Sequence, residues 1–179
     1  ASGVQFENQY TLNLPIVDMG YMRVSPDTTH LALTANKTAA VLYNFDNATG
    51  IIDVAKATTI RPNINSIPKR PPNLNINEIY GVEFSPDSNL LYLGDLSGGR
   101  APGYIFQAVV GGVAPGTAVA AAFVGSVQRS RSSNRYAIGA LQLGPDGRIY
   151  IAKDLSNTLA VIQTPNNVGI ACGLHLPRR

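Results

Sequence analysis

Apolar and polar residues alternate along the chain in short runs, and one such arrangement occurs three times. Met22-Arg23-Val24, Val82-Glu83-Phe84 and Leu141-Gln142-Leu143 each read apolar, polar, apolar. A period of two puts the outer pair on one face of a strand and the middle residue on the other. A turn follows each copy: Ser25-Pro26-Asp27, Ser85-Pro86-Asp87 and Gly144-Pro145-Asp146. Proline pre-sets φ for the second turn position, and aspartate accepts hydrogen bonds from backbone two residues on. These residues are read as turns without chemistry of their own. A second apolar run then closes each β-hairpin, ending in Leu31-Ala32-Leu33, Leu91-Tyr92-Leu93 and Ile149-Tyr150-Ile151. The three prolines give a period of 60 (86 − 26) and then 59 (145 − 86), the mark of stacked supersecondary units.

Two further strands are predicted in each of the first two units. Thr38–Phe45 places Val41, Tyr43 and Phe45 on one face, and Ile51–Ile60 follows the Asp46–Gly50 turn. The second unit continues with Tyr104–Val110 and Ala118–Val127. The latter opens with an alanine run of helical propensity, but its place in the repeat predicts a strand. In the third unit Asn157–Gln163 is a strand, while Ala171–Arg179 is too short and too broken by Gly173 and Pro177 to supply a fourth. Residues 4–14 alternate well and predict a spare strand that could fill that place. Arg61–Asn77, with four prolines, reads as a long surface loop between sheets.

The chain is therefore expected to be one all-β domain over residues 1–179, a partial β-propeller of about three blades, each of four antiparallel strands. The repeats run about 18–60, 78–127 and 137–173, with residues 1–17 giving a strand to another blade. Familiar propellers have about four to eight blades. The ring is thus expected either to continue in a longer chain or to be completed by association. The partners implied are other blades of the same protein or other copies of this chain. The lack of tryptophan excludes a WD signature.

Composition narrows the function. With 45% hydrophobic and 14% charged residues in 179, the chain suits an ordered core rather than disorder. No apolar run is long enough for a membrane-spanning helix, no basic-then-apolar signal peptide opens the chain, and no membrane insertion is expected. The net charge of +3 is mild. Gln128–Arg135 and Lys69-Arg70 are the densest basic stretches, but a nucleic-acid groove interleaves such charges with stacking aromatics, and only Tyr136 is adjacent. No nucleic-acid partner is expected. Lys69, Arg70, Arg129, Arg131 and Arg135 are instead candidate ligand-contact positions on loops.

The single cysteine, Cys172, sits among apolar residues and reads as a small buried side chain. His30 and His175 lack metal-ligand spacing. Glu83 falls on the polar face of its strand, and its repeat equivalents are Arg23 and Gln142, so no common charge recurs around the ring. No nucleophile elbow, phosphate loop or paired-cysteine site occurs. No catalytic, metal or cofactor residue is assigned, and no cofactor is expected.

Three stretches carry a resemblance: Tyr43–Ile51, Tyr80–Asp87 and, most specifically, Ile138–Ala152, continued by Pro165-Asn166-Asn167 and Ala171-Cys172. Across roughly residues 20–173 the chain resembles the WD40-like β-propeller region of large secreted Bacteroidetes proteins. Members of that group typically carry a type IX secretion sorting domain and are often labelled gliding-motility-associated. The resemblance implies export, an extracellular or cell-surface location, and a binding or scaffolding role, and it offers no catalytic motif to carry over. It also makes Thr28 and Thr29, within Asp27-Thr28-Thr29, candidate O-glycosylation positions. The expected function is a non-catalytic surface module for adhesion or for binding a protein or glycan. Two alternatives stay open: part of a propeller enzyme of lactonase or lyase type, its catalytic residues in absent blades, and a structural component of a surface assembly.

Overall fold

A computed structural model describes residues 10–11, 20–36, 38–76, 78–96, 102–128 and 138–176, with residues 35 and 36 described by backbone alone. The described residues form strands and two short 3-10 turns, with no α-helix among them. The first meander is β1 (Met22–Val24), β2 (His30–Asn36), β3 (Ala39–Asp46) and β4 (Ile51–Pro62). The second is β5 (Ile79–Phe84), β6 (Leu90–Asp95), β7 (Gly103–Val109) and β8 (Ala118–Val127). The third is β9 (Leu141–Leu143), β10 (Ile149–Ile151), β11 (Ala160–Ile162) and β12 (Leu174–His175). Within each meander, neighbouring strands pair antiparallel.

The alternating pattern thus produces the expected all-β chain, with three corrections. First, β4 and β8 pair in parallel, Thr59–Pro62 opposite Ala118–Ala121. The first two meanders are therefore one eight-stranded sheet in the order β1-β2-β3-β4-β8-β7-β6-β5, and only the third stands apart as a four-stranded sheet. The larger sheet curls until its edge strands, β1 and β5, come together. Second, the third meander has its own fourth strand: β12 pairs with β11, Val161 opposite His175 and Ile162 opposite Leu174. No strand from residues 4–14 is needed there. Most of that stretch lies outside the described residues, and Tyr10 and Thr11, which are described, belong to no strand.

Third, the connection 61–77 is not simply a surface loop. Asn63 begins a 3-10 turn at Ile64–Ser66, its side chain accepting from the Asn65 N–H. Ile67 and Ile76 are buried in the main core, with Ile64 and Leu74 packed against it. The Ser66 hydroxyl accepts from the Phe123 N–H of β8 at 2.8 Å. Apolar residues at 64, 67, 74 and 76 are the signal for this, since a solvated loop has no use for them.

The repeated turns fold as their sequence dictates. Asp27 Oδ1 accepts from the Ser25 hydroxyl at 2.6 Å and the Thr29 N–H at 3.1 Å. Asp87 does the same with Ser85 at 2.6 Å and Asn89 at 3.1 Å. Each serine oxygen in turn accepts from the first residue of the next strand, His30 or Leu90. The third copy replaces serine by Gly144, and the Tyr150 hydroxyl donates to Asp146 Oδ2 at 2.8 Å instead. A Cβ at Gly144 would meet the Tyr150 ring at 2.7 Å, so glycine there makes room for the phenol.

Two cores lie between the meanders. Ala32, Ala40, Leu42 and Ile60 of the first share one with Val82, Phe84, Leu91, Leu93 and Phe106 of the second. Leu90, Tyr92, Ile105, Val124 and Val127 of the second share the other with Leu141, Ile149, Ile151, Ala160, Ile162 and Cys172. Phe84 is fully buried between meanders, as its strand face predicts. On its other side the second meander comes close to the third: a Cβ at Gly81 would lie 2.7 Å from the Gly139 carbonyl oxygen. The first meander departs from expectation, because its apolar pair stays outside: Met22 is 59% and Val24 43% exposed.

Candidate functional site: the polar cluster of the first strands

The middle residues of β1, β5 and β9 converge. Arg23 Nε donates to Glu83 Oε2 at 3.0 Å. Its Nη2 donates to Gln142 Oε1 at 2.6 Å, to the Leu141 carbonyl at 3.1 Å and to the Tyr21 hydroxyl at 3.0 Å. Nη1 donates to the Met22 carbonyl at 3.3 Å. The guanidinium also stacks over the Tyr21 ring, 4.2 Å from its centroid, and Tyr21 packs against Tyr80 at 5.7 Å. Glu83 Oε1 accepts from the Phe84 N–H at 3.0 Å, and Oε2 accepts from the Leu143 N–H at 2.8 Å. Thr34 adds a neighbouring tie, donating to the Tyr80 carbonyl at 2.6 Å.

Alternation alone puts Glu83 on a polar, outward face; it is instead buried, its side chain only 4% accessible against 20% for Arg23. A buried carboxylate persists only when its charge and lone pairs are matched, and here one guanidinium and two backbone N–H groups match it. The lack of a common charge at the repeat position speaks against a repeated carboxylate site, and it has a structural counterpart in the pairing of unlike residues. The cation of Arg23 meets the anion of Glu83 and the amide oxygen of Gln142, whereas three like charges would repel. What the cluster does chemically is fasten three strands from three meanders through charge-assisted hydrogen bonds.

A second polar group ties β6 and β7 to the third meander. The Tyr92 hydroxyl donates to the Pro165 carbonyl at 2.8 Å. Gln107 Nε2 donates to Tyr92 Oη at 2.7 Å and to the Asn167 carbonyl at 2.9 Å, while its Oε1 accepts from the Gly169 N–H at 2.7 Å. Sequence reading passes over this site, although a lone glutamine inside the apolar run of β7 is its signal. Burial pushes the Tyr92 phenol far above its ordinary range and raises the Cys172 thiol. Cys172 is fully buried, as expected, and its setting favours the inert thiol over a thiolate nucleophile.

The other positions singled out by sequence do not join these clusters. Thr28 and Thr29 sit at the exposed tip between β1 and β2. Thr28 adopts a left-handed φ of 62°, and the Thr29 hydroxyl donates to Asp27 Oδ1 at 2.9 Å while lying 2.7 Å from His30 Nδ1. Lys69 and Arg70 are exposed neighbours on the 61–77 connection. Arg129, Arg131 and Arg135 lie outside the described residues. His30 and His175 belong to different sheets, and among the described residues no three His, Cys, Asp or Glu side chains gather as metal ligands.

The turn aspartates set the acid response. In Asp27 and Asp87 desolvation works against the charge, but the Ser25 and Ser85 hydroxyls together with Thr29 and Asn89 outweigh it and hold both carboxyls below their usual range. The Thr49 hydroxyl does this for Asp46 and the Tyr150 hydroxyl for Asp146. A carboxyl whose folded pKa is depressed stabilises the fold above its unfolded value and loses that contribution as pH falls through the folded value. Urea midpoints should therefore be level above about pH 5 and fall below about pH 4, with Asp87→Asn showing a shallower fall. A midpoint unchanged down to about pH 2 would contradict this reading of the turns.

No protein-family model matches the sequence, and no curated protein matches it. Among solved structures the chain is similar to hydrazine synthase of Kuenenia stuttgartiensis at 13% identity and a TM-score of 0.47. The match covers 89% of this chain but only 36% of that one, and at that score the likeness carries no conclusion about fold or activity.

Proposed function

We propose that the three meanders are blades of a β-propeller, and that the chain belongs to a non-catalytic module that binds a protein or glycan at the cell surface or outside the cell. The blade reading is supported by the repeated packing rule, in which Val82 and Phe84 of the second meander and Leu141 of the third are buried against the meander before, with Leu143 half-buried beside it. It is supported also by the convergence of the first strands. The observation that carries the non-catalytic reading is the polar cluster itself. Its carboxylate, guanidinium and amide are engaged with one another and with backbone, leaving them as fasteners of a scaffold. On such a scaffold, recognition falls to the connections, and Lys69 and Arg70 stand exposed on one of them. The surface location rests on the sequence resemblance.

The test uses the full chain on an immobilised panel of acidic and neutral polysaccharides. Retention on an acidic polymer, lost in Lys69→Ala/Arg70→Ala with unchanged circular dichroism, is the expected result. Equal retention of the double variant would remove these residues from the binding surface. Release of unsaturated or shortened sugars by the wild-type chain would overturn the non-catalytic reading.

A further inference from the structure

Charge is segregated along this chain, and the β4–β8 pairing brings the basic stretches together. Residues 54–77 and 96–145 hold four Lys or Arg residues each and no Asp or Glu. The two stretches are distant in sequence but meet in the fold, Thr59–Pro62 of β4 running parallel to Ala118–Ala121 of β8. Of the acids bordering them, Asp53 pairs with Lys56 at 3.9 Å, Asp146 is bound within its own turn, Glu78 is half-buried and Asp95 fully buried.

Three cations of this region stand exposed at the end to which β4 leads. Arg61 lies on the seam itself, opposite Ala120, and its Nη1 donates to the Thr38 hydroxyl at 3.2 Å. From there the chain crosses β8: the Asn63 N–H donates to the Ala121 carbonyl at 2.7 Å, and the Ser66 hydroxyl holds the Phe123 N–H. Ile67 and Ile76 are buried on either side of a tip, 68–73, whose residues are all exposed. Lys69 and Arg70 stand on that tip. Lys69 keeps a left-handed φ of 53° there, a conformation that costs a lysine more than a glycine. Among the described residues none of the three cations meets a carboxylate.

We infer that Arg61, Lys69 and Arg70 form one contact surface along the β4–β8 seam, and that its partner is a linear polysaccharide carrying carboxylates. This deepens the reading of the chain as a glycan-binding module and rests on it. Cations spread from a strand to a loop suit a chain of repeated charges better than a single small anion. Asn65, Asn73 and Asn75, exposed on the same connection, supply amide donors and acceptors for sugar hydroxyls. No aromatic residue occurs between 54 and 77, so this connection lacks the stacking platform that single-stranded nucleic acid uses.

Binding of the full chain to polygalacturonate across a salt series tests this, with dextran as the uncharged control. Wild type should bind polygalacturonate and not dextran, with log affinity falling linearly in log salt. Arg61→Ala should weaken binding by more than about threefold and lower the salt slope by about a third, because one of three ion contacts is gone. Asn73→Ala/Asn75→Ala should weaken binding at an unchanged slope, which is the mark of hydrogen bonds to the sugar rather than of charge. Arg148→Ala removes an equal charge in the third Pro-Asp turn, beside Asp146, and should bind as wild type does. If Arg61→Ala binds like wild type while Lys69→Ala/Arg70→Ala does not, the seam surface is wrong and the binding-module reading stands. Tighter binding to single-stranded oligo-dT than to polygalacturonate would overturn the polysaccharide assignment. So would retention of wild type on another polymer but not on polygalacturonate, whereas no retention on any polymer would overturn both readings.

Discussion

Glu83→Ala is expected to lower the unfolding free energy by about 3–5 kcal/mol, the cost of breaking a buried ion pair from one side. The carboxylate is matched by Arg23 Nε at 3.0 Å and by the Leu143 N–H at 2.8 Å. Its removal strands a mostly buried guanidinium and two backbone donors. Arg23 keeps some solvent contact, which places the expectation at the lower end of that range. Glu83→Gln keeps an acceptor for Leu143 and should cost less. Arg23→Met/Glu83→Leu removes both charges together and should recover much of the loss, because an ion pair replaced whole by apolar groups is often neutral. Urea denaturation of the three variants decides it. A loss below about 1 kcal/mol for Glu83→Ala would mean that the cluster is not a fastener.

The second large effect belongs to the neighbouring residue on the opposite face. Phe84→Ala should cost about 3–5 kcal/mol through lost burial and the cavity left behind. Phe84 is fully buried in the core shared with Ala40 and Leu42 of the first meander, so truncation leaves a void among packed side chains. Val109→Ala is the control: at 50% exposure it should change stability by no more than about 0.5 kcal/mol. Similar small values for both would mean that the two faces of β5 are assigned in reverse.

Period-two alternation and Pro-Asp turns are enough to locate most of the strands and their hairpins, because both are local properties. The pairing of β4 with β8 is not legible, since residues far apart in sequence meet there in parallel without a turn to announce them. Nor is β12: its two residues are held by register with β11, and no propensity distinguishes so short a strand. The polar cluster is visible as a column of unlike residues at 23, 83 and 142, but only convergence of the three strands turns unlikeness into complementarity. The exposed Met22/Val24 pair shows the same limit from the other side. Its pattern matches that of the buried pairs, and exposure depends on a neighbour that the local pattern does not encode.

The β4–β8 ladder also separates the unit of sequence from the unit of unfolding. Repeats of about 60 residues suggest three equivalent modules that loosen one at a time, as in linear arrays. Hydrogen bonds running unbroken through eight strands instead couple the first two repeats, because opening either one frays the shared β4–β8 seam. The third repeat, with strands of two or three residues, is joined to the second among the described residues by a shared core and side-chain hydrogen bonds rather than by a ladder, so its amides are expected to exchange faster than those of β4 and β8. The chain is triplicate in its sequence, but its repeats are joined by two different kinds of seam.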